Sequence, residues 1–214
     1  MTAISVLIPH KQDPENDRAL AIALAMYRDN TGGEIELIVD DTTPADPYAL
    51  LNDMAERAKA DWIFFGNSDL FPAWGWDRAL LDLAQEDTIV NATLVEPGAI
   101  GVHEGNIHRS FGMTPDSFRR AEFEAWAAGR DEVPANDGFT FYALLHRRAF
   151  LDFGGFDVRK GVFPQVALDL DLWARWREAG KPIRRAKAFF YHLQNFSNPT
   201  EQQKAVRREL NDAS

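Results

Sequence analysis

Acidic side chains follow two apolar stretches of this chain at the point where each stretch ends. The stretch "WIFF" at 62–65 gives way at once to Gly66, Asn67, Ser68 and Asp69, and the stretch "EIELIV" at 34–39 ends in Asp40 and Asp41. Carboxylates held in this way bind hard divalent cations or take a proton from a substrate hydroxyl. The pattern therefore indicates metal or acid–base chemistry.

Each of these acids also has an ordinary structural interpretation. Asp40 and Asp41 precede Thr42-Thr43-Pro44, and Asx side chains commonly start turns by bonding to nearby backbone amides. Asp69 stands before an aromatic segment and is a possible helix cap. For one acid alone, these interpretations suffice. Their shared position after two buried strands favours a site, because parallel strands deliver their carboxyl ends to one edge of a sheet.

A third acidic element is "DLDLWARWREAG", in which Asp169 and Asp171 begin a predicted helix. Residues two apart on a helix point in different directions, so only one of them is expected to face a pocket. We assign that role to Asp169, as a base. The alternative is that both acids stabilise the positive end of the helix dipole. Leu172 and Trp176, at i and i+4, are expected to be buried.

The elements that position these residues alternate along the chain. Hydrophobic spacing and Gly/Pro breaks predict strands at 4–8, 34–39, 62–65, 89–94, 139–145 and within 183–192, and helices at 15–27, 48–58, 76–83, near 117–128, at 147–152, 169–179 and 199–210. This order predicts an α/β fold with a mostly parallel sheet and helices on both faces. We expect one domain over 1–198, with 96–136 as an insertion that forms a wall over the sheet, and a helical tail over 199–214.

Composition narrows the class of protein. The chain has 214 residues, 45% of them hydrophobic, no cysteine and a formal net charge of −10. Disulfides and thiolate metal sites are therefore excluded, and the acidic balance disfavours, without excluding, a nucleic acid as partner. No apolar run approaches the ~20 residues of a membrane span, and no basic leader precedes the first strand. These features predict a cytoplasmic protein without a membrane span.

The motifs "SVLIPHKQD", "ELIVDDTTPAD", "FFGNSDLFP" and "FYALLHRRAFLDFGGFD…DLDLWARWREAG" resemble, in order and spacing, those of family 2 glycosyltransferases of the GT-A (Rossmann-like) fold. The resemblance covers about four-fifths of the chain and leaves out 96–136. It implies a nucleotide-sugar donor (a UDP-, GDP- or dTDP-sugar), a Mn²⁺ or Mg²⁺ cofactor and inversion at the anomeric carbon. It does not identify the acceptor.

The resemblance also implies roles for individual residues. Asp69, at the last position of the Asp-x-Asp motif, corresponds to the metal ligand, and His192 to a histidine near the metal and diphosphate. Asp169 corresponds to the base. The donor-binding positions are Pro9, His10, Asp40, Asp41, Asn67 and Ser68. Trp74, soon after Pro72, is our candidate for stacking on the ligand.

Two positions depart from the family pattern. Asn67 stands where the first acid of the Asp-x-Asp motif is usual, and Leu168 stands where a glutamate usually precedes the base. The alternative hypothesis is therefore a catalytically inactive module of the same fold that binds a nucleotide or a glycan. His103 and His108, in "GVHEGNIHR", are interpreted as loop residues rather than metal ligands.

Overall fold

The computed structural model describes residues 3–42, 46–98, 105–135, 140–161 and 167–193. The predicted tail helix at 199–210 and His103 lie outside these ranges. In chain order the elements are β1 (Ile4–Pro9), α1 (Pro14–Asp29), β2 (Ile35–Asp40), α2 (Pro47–Arg57), β3 (Trp62–Phe65), β4 (Leu70–Pro72), α3 (Trp76–Leu81), β5 (Ile89–Glu96), β6 (Ile107–His108), α4 (Arg120–Ala128), β7 (Ala143–His146), α5 (Arg147–Asp152), a 3₁₀ turn (Val158–Lys160), α6 (Leu168–Glu178) and β8 (Ile183–His192).

The strands form one sheet in the order β2-β1-β3-β7-β5-β8-β4, with β6 paired to β5. The sheet is mostly parallel, as predicted, but β4 and β7 run against the others. Both exceptions follow from their connections. β4 follows β3 after only four residues, too few for a crossover, and the chain between β5 and β7 returns to the edge where β5 ended.

Two helices that follow parallel strands begin in the same way. Asp13 accepts hydrogen bonds from the amides of Glu15 and Asn16, and Asp46 accepts one from the amide of Tyr48. A proline occupies the first turn in both cases, where its fixed φ suits the helix and its missing N–H costs nothing. Together the caps fix where α1 and α2 leave the edge of the sheet.

Helices cover both faces of the sheet, which confirms the predicted layering. Adjacent residues of β3 illustrate it, since Phe64 packs into one hydrophobic cluster with Tyr27, Trp76 and Phe190. Phe65 packs into the other cluster, against Phe150 and Phe156. The predicted burial of Leu172 and Trp176 is confirmed, because each is at most 1% exposed. None of the helices in the described ranges is long and apolar enough to cross a membrane.

Gly66 directly follows β3, at a position where the surrounding atoms leave no space for a side chain. A Cβ there would lie 3.0 Å from Cγ1 of Val6, 3.1 Å from the Tyr27 hydroxyl and 3.3 Å from Cγ1 of Ile8. We expect Gly66→Ala to lower the free energy of unfolding by about 1–3 kcal/mol, because these core atoms must move. Gly129→Ala is the control, since its Cβ would meet nothing closer than 3.8 Å. Urea denaturation of both variants measures the difference, and equal stabilities would contradict the packing argument.

Candidate functional site

Polar residues gather at the edge where the parallel strands end. Six described strands that run in the same direction deliver their last residues to this edge, namely Pro9, Asp40, Phe65, Glu96, His108 and His192. The antiparallel strands β4 and β7 begin at the same edge, immediately after Asp69 and Tyr142. Rigid strands therefore place the candidate residues, as the sequence predicted for Asp40 and Asp69.

Asp69 is completely buried, with a relative exposure of 0%. Within the described residues, neither of its carboxylate oxygens has a hydrogen-bond partner. It caps no helix, because β4 follows it and the N-cap of α3 is Gly75. Burial of an unpaired carboxylate costs several kcal/mol by order of magnitude. The position therefore fits a bound cation better than a structural role.

His192 lies beside Asp69, at the end of β8. Strand pairing of Leu70 with His192 brings the two side chains together, and the His192 Nε2 atom is 3.8 Å from Oδ2 of Asp69. The other ring nitrogen, Nδ1, is 2.7 Å from Oε1 of Glu96. An imidazole with one nitrogen on a carboxylate and the other facing a second carboxylate is the usual arrangement around a histidine metal ligand.

Two buried tyrosines stand next to this pair. The Tyr142 hydroxyl is 3.1 Å from Nε2 of His192, and the Tyr27 hydroxyl lies beneath Gly66. Burial raises the pKa of Tyr27 and of Tyr142 well above the ordinary tyrosine value, and the negative charge of Asp69 raises both further. Both hydroxyls therefore stay neutral near pH 7, and neither offsets the charge of Asp69.

Asn67 and Ser68 shape the turn that carries Asp69. The Asn67 Oδ1 atom accepts the Ser68 amide at 2.8 Å, while the Asn67 Nδ2 atom lies 3.5 Å from the Tyr142 hydroxyl. Ser68 itself is buried. The Asn67 amide thus stabilises the local turn, which explains how the first acid of the usual motif can be absent without loss of the Asp69 position.

Asp69 and His192 are the residues at this edge that could hold a divalent ion. No group of three or more acidic or histidine side chains suited to a metal occurs in the part of the chain that the structure describes. Two protein ligands are nevertheless enough where phosphate oxygens and water complete the coordination, which is how Mg²⁺-type sites are commonly built. An unpartnered buried carboxylate and an imidazole nitrogen directed toward it are the required donors.

The predicted nucleoside side of the site lies across the ends of β1 and β2. His10 is 8% exposed, its Nε2 atom is 2.8 Å from Asp17, and its amide donates to the Asp40 carbonyl. Asp40 accepts hydrogen bonds from the hydroxyl and the amide of Thr42 and pairs with Arg57. The Thr42 hydroxyl, followed by Arg57 and the Thr42 amide, holds the pKa of Asp40 below its usual value. Asp40 thus forms the turn that the structural interpretation predicted.

Asp41 differs from Asp40 in its surroundings. Its carboxylate is exposed and accepts a hydrogen bond from the Gln12 side chain. Pro9 ends β1 next to it, because Pro9 pairs with Asp40 in the parallel register. Of the two consecutive acids, Asp41 is the one whose carboxylate is directed to solvent and open to a ligand.

Asp169 and Asp171 diverge, as their spacing predicted. Asp169 is half-buried and accepts a hydrogen bond of 2.9 Å from the Tyr48 hydroxyl. Asp171 instead pairs with Lys160 and Arg175, which lower its pKa against the effect of its partial burial. The N-cap of α6 is Ala167, without a side-chain cap bond. Asp169 therefore has a single described side-chain partner, whereas Asp171 is neutralised by two cations.

The structure does not bring Trp74 to this group. Trp74 is 70% exposed and follows β4, which leads the chain away from the acidic edge. The next residue, Gly75, bonds to Asn30 at the carboxyl end of α1. His108 is exposed at the end of β6.

Sequence reasoning missed Glu96, Tyr142, Tyr27 and Tyr48. Glu96 carried the same signal as Asp40, an acid at the end of an apolar strand, but the strand was predicted to stop at residue 94, two residues too early. The tyrosines carried no such signal. Their roles depend on which strands and helices meet, and spacing along the chain does not give that information.

Comparison with known proteins supports the fold. No family model and no curated protein sequence matches the chain. Drosophila β-1,4-galactosyltransferase 7, solved with manganese, UDP-galactose and xylobiose, matches with a TM-score of 0.56 at 14% identity, over 97% of this chain and 80% of that one. GalNAc-T7, solved with UDP, GalNAc and Mn²⁺, matches with a TM-score of 0.53 at 12% identity, over 92% of this chain and 45% of that one. Such identities show a shared fold, and both neighbours are GT-A glycosyltransferases.

Proposed function

We propose that this chain is a metal-dependent, inverting glycosyltransferase that moves a sugar from a nucleotide-diphosphate donor to an acceptor hydroxyl. The observation that carries the proposal is Asp69, a fully buried carboxylate without a hydrogen-bond partner among the described residues, 3.8 Å from a histidine nitrogen. UDP-sugars are the first donors to test, since both structural neighbours were solved with UDP or UDP-galactose.

In this proposal, Asp69 and Nε2 of His192 hold the metal, which supplies positive charge to the diphosphate as it leaves. Asp69 is the stronger ligand because it is charged and buried, where electrostatic attraction is least screened. Asn67 and Ser68 keep the turn that presents Asp69 rigid. Manganese or magnesium suits this donor set, since both ions accept carboxylate oxygens together with phosphate oxygens.

The donor base is assigned to the ends of β1 and β2. Asp41 is exposed there and offers an acceptor to a base or ribose donor, while Asp40 keeps the turn in place through Thr42 and Arg57. Pro9 and His10 form the adjacent wall. These assignments agree with the family resemblance and with the exposure of Asp41.

Asp169 is assigned as the base that takes the proton from the acceptor hydroxyl. An alcohol is a weak nucleophile at neutral pH, and a positioned carboxylate typically contributes about 10²–10⁴-fold to such a step. The Tyr48 hydroxyl fixes one carboxylate oxygen of Asp169 and leaves the other for substrate. Selection of the acceptor is assigned to the segment 96–136, which connects β5 to β7 at the same edge.

Nucleotide binding is the direct test of the proposal. We expect UDP with Mn²⁺ to raise the melting temperature by about 5–11 °C at 100 times its dissociation constant, from ~2.7 kcal/mol of binding linkage in a chain of this size. UDP or Mn²⁺ alone is expected to give a smaller shift. GDP and dTDP, each with and without Mn²⁺ or Mg²⁺, complete the series.

A test for turnover then distinguishes the enzyme from the binding module. A UDP-sugar that is hydrolysed or transferred in the presence of Mn²⁺ identifies an enzyme. Metal-dependent binding without turnover on any donor would instead favour the inactive module. The absence of a shift with every nucleotide and metal would refute the enzyme and the nucleotide-binding module, and would leave only a module that binds a glycan.

A further inference from the structure

The buried side chain of Glu96 has no role in the proposed reaction, yet it contacts the presumed metal ligand directly. Val95 pairs with Tyr191 in the parallel register of β5 and β8, so the next residues, Glu96 and His192, end their strands side by side. The side chain of Glu96 is 3% exposed and that of His192 is 14% exposed. Their contact, 2.7 Å between Oε1 and Nδ1, is therefore largely shielded from water.

Glu96 is itself held in place by other groups. Its second oxygen, Oε2, accepts a hydrogen bond of 2.9 Å from Nδ2 of Asn106, and its carbonyl accepts the amide of Arg109 at 2.8 Å. An ionised carboxylate is only an acceptor, so the Nδ1 atom of His192 must be the donor of their shared hydrogen bond. The proton position on the ring follows from this network.

The other side of the ring agrees with this assignment. With the proton on Nδ1, Nε2 accepts the Tyr142 hydroxyl at 3.1 Å, and Nδ2 of Asn67 approaches the Tyr142 oxygen at 3.5 Å. Every hydrogen-bond donor from Asn67 through Tyr142 and His192 to Glu96 then has an acceptor. The lone pair of Nε2 and Oδ2 of Asp69, 3.8 Å apart, are both electron-pair donors. Nε2 has one lone pair, so an ion bound to Nε2 and Oδ2 would replace the hydrogen bond from the Tyr142 hydroxyl.

We infer that Glu96 is a positioning residue that fixes the His192 ring with its proton on Nδ1, so that Nε2 is presented to the metal together with Asp69. This inference rests on the proposed metal-dependent function and adds a residue that the motif comparison did not supply. Carboxylates in this outer position typically change metal affinity by about 10–100-fold when they are replaced.

Glu96→Gln is the informative substitution. Glutamine has one acceptor oxygen, whereas Asn106 and His192 both donate to Glu96. One of the two donors therefore faces an NH₂ group in the variant, and the charge that supports the imidazole is lost. We expect Mn²⁺ affinity, measured by calorimetry in the presence of UDP, to fall about 10–100-fold.

Glu36→Gln is the matched control, because Glu36 is a strand glutamate that accepts hydrogen bonds from Ser5 and the Lys59 amide away from the metal pair. Both bonds end on one oxygen, which glutamine can supply, so we expect this variant to keep its Mn²⁺ affinity at the wild-type value. A merely structural Glu96 predicts the same result for Glu96→Gln. Wild-type Mn²⁺ affinity in folded Glu96→Gln would thus overturn the inference and leave the proposed function intact.

A measurement on the wild-type chain keeps the inference testable if Glu96→Gln does not fold. Long-range ¹H–¹⁵N NMR of the metal-free protein reports which ring nitrogen of His192 carries a proton, and a His192→Asn variant assigns the signals. A protonated Nδ1 is expected. A bare Nδ1 would overturn the inference, and a wild-type chain that binds no Mn²⁺ even with UDP would overturn both the inference and the metal-dependent function.

Discussion

Asp69→Asn is expected to abolish metal-dependent nucleotide binding without unfolding the protein. Asparagine has nearly the shape of aspartate but no negative charge, so the pair with His192 loses its charged ligand. Replacement of a direct ligand should cost more than the 10–100-fold typical of outer-shell groups, and we expect the affinity for UDP with Mn²⁺ to fall by more than about 100-fold. Calorimetric titration of UDP at fixed Mn²⁺ measures the loss.

Asp69→Asn should bind the nucleotide and metal less tightly than the wild type but should not be less stable. The wild-type carboxylate is buried without a hydrogen-bond partner in the described residues, and an isolated buried charge is more costly than a buried amide. In the absence of metal, the free energy of unfolding is therefore expected to be equal to or higher than that of the wild type. A site residue that opposes folding is typical of functional positions.

Asp77→Asn is the control for this variant. Asp77 is also a buried aspartate, 3% exposed, but its Oδ2 atom accepts hydrogen bonds from Thr31 and the Gly32 amide. Its replacement should lower stability by about 0.5–3 kcal/mol and leave nucleotide binding unchanged. If instead Asp69→Asn binds UDP with Mn²⁺ as tightly as the wild type, the metal assignment is wrong.

The sequence located the ends of β1, β2 and β3 to within one residue, but it ended β5 two residues too early and gave no sign that Asp69 is completely buried. Alternating hydrophobicity, apolar runs and glycines predicted the positions of β1, β2, β3, β5 and β8. Since parallel strands place their carboxyl ends at one edge of a sheet, the acids were expected to share that edge. The short strand β4 was missed because Pro72 argues against a strand. Proline is tolerated here since β4 lies at the edge of the sheet, paired only with β8.

Missing β4 had consequences for two predicted roles. Asp69 was considered as a helix cap, whereas β4 follows it, and the backbone hydrogen bond from the Leu193 amide to the Asp69 carbonyl holds β8 beside it. Trp74 was placed near the ligand because it follows Pro72 closely in sequence. The strand carries it away from the edge, since β4 runs opposite to its neighbour.

Partners across the sheet were beyond the reach of sequence patterns for the same reason. Glu96, Tyr142 and His192 are separated by about 50 residues or more along the chain, and only the order β7-β5-β8 brings them together. Strand order depends on the packing of whole helices and on connection lengths. A local sequence pattern gives no information about helix packing or connection lengths. The contacts of Asp69 and His192 with their neighbours could therefore be found only in the structure.

Asp169→Asn is expected to reduce turnover by about 10²–10⁴-fold while donor affinity stays within a few-fold of the wild type. Asparagine cannot accept the proton of the acceptor hydroxyl, but its oxygen still accepts the hydrogen bond from Tyr48. The fold around α6 is therefore preserved, apart from about 0.3–1 kcal/mol of helix-dipole stabilisation. Turnover of a UDP-sugar, UDP affinity and melting temperature are measured on the same preparation.

Two further variants distinguish the base from a structural acid. Asp171→Asn breaks the ion pairs with Lys160 and Arg175 at the same helix end, so stability should fall while turnover persists. Tyr48→Phe removes one hydrogen bond to the Asp169 carboxylate, worth about 1.5–3 kcal/mol, so turnover should fall by no more than about 150-fold. If Asp169→Asn transfers sugar at nearly the wild-type rate, Asp169 only stabilises the start of α6. The proton must then go to another group, and the segment 96–136 is the next place to search for it.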